Sequence, residues 1–481
     1  MINKKFGKDL FLVILSNGVK LISNVLTVFV IPLIFSQQDY GFYKLFLLYV
    51  SYVGIFHFGF IDGIYLHYAG ISYENLDKTT FRTFTKFLTT IEMIIAIIII
   101  GISFVYSGDR QLILVLVGFN LIALNLTTYY QFISQVTQRF KEFAVRNIIY
   151  TFLNVVLIST FYFLQLADYK LFIILTVVIN FVLLLWYVIS YKDITFGRST
   201  TFILERKNIY SMFKIGIVLL FSNLVVMFFS TIPRQFVDIM YPVELYPEVF
   251  SNFSFAYTLM GFTGVFLSAI SLVLYPSLKQ STKENLKVKY NDFNSIILIL
   301  VFVLISAFFP MSFIVQRLLP NYSSSLDIFF ILAPGISITS AVTVIMHNYY
   351  KSLDKNKSFL IIGLINLAIL TVSIYFAYTF INQNVTLIAA VTIIVQLIWY
   401  LTLDLHLNKE YKNISIKNII FIILSSGSFY MTYYIDNLLL KFLAYCFLII
   451  AIVSLLFWKK IRYLVSYLKN KQYKIKEQKQ E

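Results

Sequence analysis

The sequence predicts an all-α integral membrane protein of about fourteen transmembrane helices, and three observations carry that prediction. Of the 481 residues 59% are hydrophobic and only 13% charged, and Phe and Tyr together outnumber all charged residues, 84 to 62. A soluble domain is nearer half apolar and a quarter charged, so a water-soluble enzyme is excluded. The apolar residues also fall into runs of about 20, the length at which a helix crosses a ~30 Å hydrocarbon core. Finally, no alternating strand pattern occurs, and in lipid only helices or closed barrels satisfy every backbone group. The single cysteine, Cys446, leaves no disulfide framework and no Cys/His metal set.

The expected spans are 10–35, 42–67, 84–106, 111–134, 146–166, 169–190, 209–232, 250–275, 294–315, 326–349, 359–380, 385–405, 417–434 and 438–458. Lys and Arg set their sidedness, because cytoplasmic loops carry the basic excess. With the N-terminus in the cytoplasm, 32 of the 39 basic residues fall on that side, including eight in the tail from Lys459 to Lys479. The seven others are Lys20, Lys44, Arg110, Lys170, Arg234, Arg317 and Lys441. Both termini are therefore expected in the cytoplasm of a multi-pass membrane protein. The basic tail reads as an anchor on anionic membrane lipids, at ~1 kcal/mol per charge. The longest outer loop, between about 232 and 250, is too small for a catalytic domain.

Two stretches repeat. Ser16-Asn17 in the first span recurs as Ser222-Asn223 in the seventh, and Tyr40 before the second span matches Tyr246 before the eighth. Both copies start on the same side, so the repeat is parallel, a layout that puts a transporter's substrate site between the halves. The expected organisation is an N-terminal lobe over 1–208, a C-terminal lobe over 209–408, two appended spans over 409–458, and a basic tail over 459–481.

Ionisable groups inside spans cost at least ~2.5–3.5 kcal/mol on insertion scales and are functional by default. Lys20 lies near the middle of the first span, about 15 Å from its cytoplasmic end. Asn17, Lys20, Asn24 and Thr27 share one helix face, read as a polar cavity lining; the alternative is a lysine snorkelling to an interface. In the seventh span Asn223, Ser230 and Arg234 form a second stripe. Arg234 suits phosphate because a guanidinium binds oxygens in pairs, although Asp238 four residues on offers a plain salt bridge. The fourth span carries Asn120, Thr127, Gln131, Gln135 and Gln138, amides that fit sugar hydroxyls and equally serve as interhelical glue. Asp62 and Glu92 are candidates to carry a coupling ion or to neutralise a lysine. His57 and His347 read as packing residues. Pro32, Pro276 and Pro334 free backbone groups within spans and are candidate hinges.

Absent motifs narrow the chemistry. There is no G-x-x-x-x-G-K-[ST] phosphate loop, no Asp-x-Asp pair and no H-E-x-x-H. No cofactor, metal or nucleic-acid partner is expected.

Three stretches, in order along the chain, carry a family resemblance. Ser36 to Ala69, SQQDYGFYKLFLLYVSYVGIFHFGFIDGIYLHYA, resembles the region after the first helix in polysaccharide biosynthesis flippases. Ser230 to Ser277 holds STIPRQFVD, the pair Glu244-Leu245 and a helix ending in LYPSL. It is similar to the Pro-Arg and Tyr-Pro motifs of O-unit and capsule-repeat flippases. LPNYSSSLDIFFILAP with the Asn348 to Lys357 turn looks like that family's tenth span. The chain departs from the pattern at Tyr246-Pro247, where a glycine is usual, and at His67, where an arginine is usual.

The resemblance implies membership of the multidrug/oligosaccharidyl-lipid/polysaccharide exporter superfamily. It further implies two pseudo-symmetric six-helix lobes, alternating access, and a central cationic cavity for the sugar-diphosphate headgroup of a polyprenyl lipid. Lys20, Arg234, Asn17, Asn24, Asn223, Gln131 and Gln135 are its expected lining. The expected function is translocation of undecaprenyl-diphosphate-linked oligosaccharide for O-antigen, lipopolysaccharide or capsule export, beside a polysaccharide polymerase and other export proteins. The alternatives are a drug/cation antiporter of the same fold, which wants an acidic cavity, and a membrane polysaccharide polymerase or ligase, which wants a large outer loop.

Overall fold

Chain direction reverses at short connections built around helix caps. The Asp77 carboxylate accepts the N–H groups of Thr79 and Thr80, Asp168 accepts those of Lys170 and Leu171, and the Thr282 hydroxyl accepts that of Asn285. Each side chain satisfies donors that the first helical turn leaves open. The computed structural model describes residues 4–279, 281–411 and 416–477. Within these ranges the side chains of 4–17, of residue 21, of several residues in 262–279, of 410–411 and of 459–477 lie outside the description. Among the described residues there is no strand.

The first half contains α1 (Lys4–Ile34), α2 (Gln37–Ser51), α3 (Phe60–His67), α4 (Lys78–Ser103), α5 (Gly108–Val136), α6 (Phe140–Phe163), α7 (Tyr169–Ser190) and the short α8 (Lys192–Thr195). The second contains α9 (Phe202–Met240), α10 (Pro247–Lys279), α11 (Lys283–Ile305), α12 (Phe308–Leu318), α13 (Ser325–Ser340), α14 (His347–Ser352), α15 (Asn356–Phe380) and α16 (Val385–Tyr411). Two more follow, α17 (Ile416–Met431) and α18 (Leu438–Glu477), the latter kinked at Phe457. A helix lies at each of the fourteen expected positions. Among the described residues ten are long and apolar enough to cross a membrane, or eleven with one bent pair counted as a span. α17, at 16 residues, is shorter than a span, and α1 qualifies only as the apolar stretch Gly18–Ile34.

The expected continuous second span is broken. α2 runs into a 3-10 turn at Val53–His57, and Phe58 (φ 50°) and Gly59 (φ 83°) both take the left-handed conformation before α3, bending the pair by 59°. Beside the break, α3 comes very close to α9. A Cβ on Gly63 would lie 1.9 Å from the Met212 carbonyl oxygen, and one on Gly216 would lie 1.9 Å from the Gly59 carbonyl oxygen. Bare glycines alone let α3 and α9 touch backbone to backbone. In the tenth span, α13 and α14 are joined by a π-helical turn, Ala341–Met346, seven residues after Pro334, the kind of irregularity found at functional sites.

Within the first half α1 packs on α6, and α5 on α4 and α7. Within the second, α15 packs on α9 and α16, and α13 on α10 and α16. The halves meet chiefly through α3 on α9 and α2 on α10. Connections rich in Lys and Arg gather at one end, the basic end, where Arg82 donates to the Asp193 carbonyl and Arg139 lies 3.8 Å from Glu74. At the opposite end Tyr241 donates to the Gln383 carbonyl and Tyr169 to Asp109.

Candidate functional site

A cavity of about 1230 Å³ is lined mainly by the second half, with Tyr65 and Leu66 of α3 at its side. Toward the basic end it is lined by Lys351, Asp354 and Asn356, at and after the end of α14, of which Asp354 is exposed. It runs inward along α9, α10 and the π-helical turn to Ser230, Arg234, Tyr257 and Gln396. Arg234 stands at the deep end, its Nε donating to the Ser230 carbonyl at 2.9 Å and its guanidinium 5.5 Å from the Tyr257 ring centroid.

The surface salt bridge that the sequence offered Arg234 does not form. Asp238 belongs to Arg110, which reaches over from the first half with Nη2–Oδ1 and Nη1–Oδ2 distances of 2.8 and 3.0 Å and also holds Glu244. Arg234 consequently has no carboxylate partner among the described residues. A second cation lies in its field: Lys44 of α2, 5% exposed, with its ammonium 5.0 Å and 5.4 Å from the ring centroids of Tyr40 and Tyr43. Lys44 has no acidic partner among the described residues either. Aromatic faces compensate a desolvated cation only in part, so a half-buried guanidinium and a buried ammonium from opposite halves lie within each other's field, with no carboxylate beside either among the described residues.

The first half holds the second cavity, about 520 Å³, bordered by α1, α2, α5, α6 and α7. Lys20, Asn24 and Gln131 line it, as does Tyr43, the ring beneath Lys44. Two expected lining residues do not. Asn223 is exposed and borders neither cavity. It sits about 60° around α9 from Val226, which does line the larger one, and its amide is too short to reach where the longer Arg234 does. Gln135 is half-buried, one turn beyond Gln131 toward the basic end and outside the cavity. The side chains of Asn17 and Pro276 lie outside the described residues. Pro32 is buried near the end of α1 and Pro334 is buried inside α13.

The two acids differ. Asp62, 6% exposed, lies 3.7 Å from His57 Nδ1, but that nitrogen accepts the Gly59 N–H and so carries no proton to share. Its cationic neighbour is Lys351, across the halves. Glu92 is fully buried; the Asn125 amide donates both to its Oε2, at 2.9 Å, and to the Val53 carbonyl in the broken span, at 3.1 Å, while Oε1 has no partner.

Sequence reasoning missed Lys44, Lys351, Tyr257 and Gln396. For Lys44 a signal existed: Tyr40, Tyr43 and Lys44 are spaced i, i+3, i+4, one face of a helix in which a lysine has no solvent.

No known family model matches the sequence, and no curated protein matches it. Solved structures do match the fold. The lipid II flippase MurJ in an inward closed conformation superposes with a TM-score of 0.59 at 14% identity, over 94% of this chain and 99% of that one. A multidrug resistance MATE family transporter of the MOP superfamily in its inward-facing conformation gives 0.58 at 12% identity, over 84% and 96% of the two chains. The outward-facing conformation of such a transporter gives 0.57 at 11%, over 84% and 95%. The fold of this chain is that shared by the MurJ flippase and the MATE transporters of the MOP superfamily.

Proposed function

We propose that the chain is a flippase that carries polyprenyl-diphosphate-linked oligosaccharide, with undecaprenol as the lipid, across the bacterial cytoplasmic membrane for export of O-antigen, capsule or a related surface polysaccharide. One observation carries the reading: Arg234, half-buried in the wall of the large cavity, and Lys44, buried on α2, are two basic side chains, one from each half, with no carboxylate partner among the described residues. Desolvated charge without a counter-charge is strongly unfavourable, and a diphosphate supplies the missing negative charge with oxygens that suit a guanidinium. A carrier of cationic drugs wants the reverse polarity.

In this reading the basic end faces the cytoplasm, as the positive-inside rule directs. The large cavity is then open to the cytoplasm, and the Arg110 contacts to Asp238 and Glu244 shut the other side. Transport follows when the lobes 1–208 and 209–408 rock about the cation pair, with the lipid tail left in the bilayer and no covalent step. Lys20 guides the headgroup inward, and Asp62 and Glu92 are the acids available to an ion gradient.

The test is export of surface polysaccharide by a deletion strain complemented with variants of verified membrane insertion. Arg234→Ala and Lys44→Ala should each abolish export and accumulate the lipid-linked intermediate, and Arg234→Lys should retain part of it. Full export by both alanine variants would sink the reading.

A further inference from the structure

The smaller cavity has a chemistry of its own. Five amides from four helical surfaces converge on it: Asn24 from α1, Gln131 from α5, Asn147 and Asn154 from α6, and Asn180 from α7. Among the described residues no Asp or Glu borders it, and Lys20 is the one cation that does. Aromatic rings of Tyr43, Phe143, Tyr150 and Phe172 alternate with these amides around the wall. An amide offers a donor and an acceptor side by side, the same pairing that a sugar hydroxyl presents, and rings give the apolar faces of a pyranose somewhere to lie.

Were these amides interhelical glue, they would be spent on one another. Asn180 does donate to Asn120, at 2.8 Å, but the Gln131 to Asn147 contact is long, at 3.5 Å, and the Asn154 amide donates to the Tyr150 carbonyl of its own helix. The Asn154 amide also interacts with the Tyr150 hydroxyl and Gln131 with that of Tyr187, but Asn24 makes no side-chain hydrogen bond among the described residues, and Thr127 Oγ1 is buried in the same wall without a partner. Unspent hydrogen-bonding capacity faces the void. Its volume, about 520 Å³, falls within the few-hundred to ~1,000 Å³ typical of ligand pockets.

Position ties this cavity to the cation pair. Tyr43 forms part of its wall and lies 5.4 Å beneath the Lys44 ammonium, whose field reaches Arg234. In a lipid diphosphate sugar the first sugar is bonded directly to the phosphate, so a glycan site has to adjoin the phosphate site. We propose that the first-half cavity is a glycan subsite for uncharged sugars, read by Asn24, Gln131 and Asn147, with the diphosphate held next to it by Lys44 and Arg234. This rests on the flippase reading and adds to it a division of the headgroup between the two halves.

The test compares binding of two synthetic probes to the purified full chain in detergent: a short polyprenyl diphosphate, and the same lipid carrying a neutral disaccharide. The wild type should prefer the glycosylated probe by about tenfold or more, the worth of one or two net hydrogen bonds. Asn147→Leu and Gln131→Leu should erase that preference while leaving the bare lipid bound as before. Asn24→Leu breaks no hydrogen bond in the fold and should lower the preference without affecting stability, so a loss there is not misfolding. Arg234→Ala should weaken both probes alike and keep their ratio. A wild type that does not discriminate, or a preference that survives all three leucines, overturns the glycan subsite. Failure of the wild type to bind even the bare lipid would instead overturn the flippase reading beneath it.

Discussion

Arg110 and Asp238 join the two halves in a fork-to-fork pair, with Nη2–Oδ1 at 2.8 Å and Nη1–Oδ2 at 3.0 Å. Tyr49 accepts a third hydrogen bond from the same guanidinium at 2.8 Å, and Glu244 takes the remaining edge. The Asp238 side chain is fully buried and the Arg110 side chain only 14% exposed, so solvent screens this pair little. It lies one turn beyond Arg234 on α9 and ties the two halves together at the end opposite the basic one.

Arg110→Gln should therefore do more than remove a surface contact. It strands a buried carboxylate, a change that costs about 3–5 kcal/mol when one partner of a buried pair is lost. The expected outcome is a clear drop in thermal stability of the detergent-solubilised protein. Asp238→Asn in the same background should recover much of it, because the stranded charge is gone. A single variant as stable as the wild type would show that the pair does not hold the halves together.

Acid should loosen the same contact from its loop side. Burial alone would raise the Glu244 carboxyl, but the Arg110 hydrogen bond, its own backbone N–H and the guanidinium charge together hold it below the ordinary glutamate value. A carboxyl held low stabilises the folded state in full above its unfolded value, and the contribution fades as pH falls through the folded one. Thermal midpoints of wild type and Glu244→Gln should thus differ near neutral pH, with the wild type higher, and converge as pH falls below the ordinary glutamate value. Parallel curves over that window would remove Glu244 from the closure.

The crossing of α3 on α9 gives a steric prediction. Gly63→Ala places a methyl 1.9 Å from the Met212 carbonyl oxygen, and neither backbone can yield without moving its helix. A loss of about 1–3 kcal/mol or more is expected from such overpacking, read as reduced monodisperse protein on fluorescence-detected gel filtration. Gly101→Ala, with nothing within 4 Å of the new methyl, should match the wild type or gain up to ~1 kcal/mol from helix propensity.

Apolar run length made the helices legible, because the lipid core demands long runs and little else does. The break after Val53 was not legible. Its packing partners lie 150 residues away, where Met212 and Gly216 press on Gly59 and Gly63, and nothing local to 42–67 announces it beyond the glycines themselves. Periodicity found the stripes that carry Lys20 and Arg234 yet over-assigned Asn223 and Gln135, because a helix face is wider and longer than the cavity it borders. Lys44 was counted among the charges of the outer side. Only tertiary packing shows that α2 is covered there, with Tyr40, Tyr43 and the second half closing over the ammonium. Asn147 and Asn154, seven residues apart on one face of α6, and the lone Asn180 of α7 become one lining only when α6 and α7 are brought beside α1.

The glycine crossing also bears on how the molecule can move. α3 belongs to the first half by chain order, but its backbone is pressed against α9 so closely that the two can hardly slide apart. A left-handed pair, Phe58 and Gly59, separates it from α2. The mechanical seam therefore runs through the middle of the second span, and residues 60–67 travel with the later helices. In the alternating-access reading proposed above, a rearrangement of the halves would turn at that joint, with α2, Tyr43 and Lys44 swinging while Asp62 keeps its place opposite Lys351.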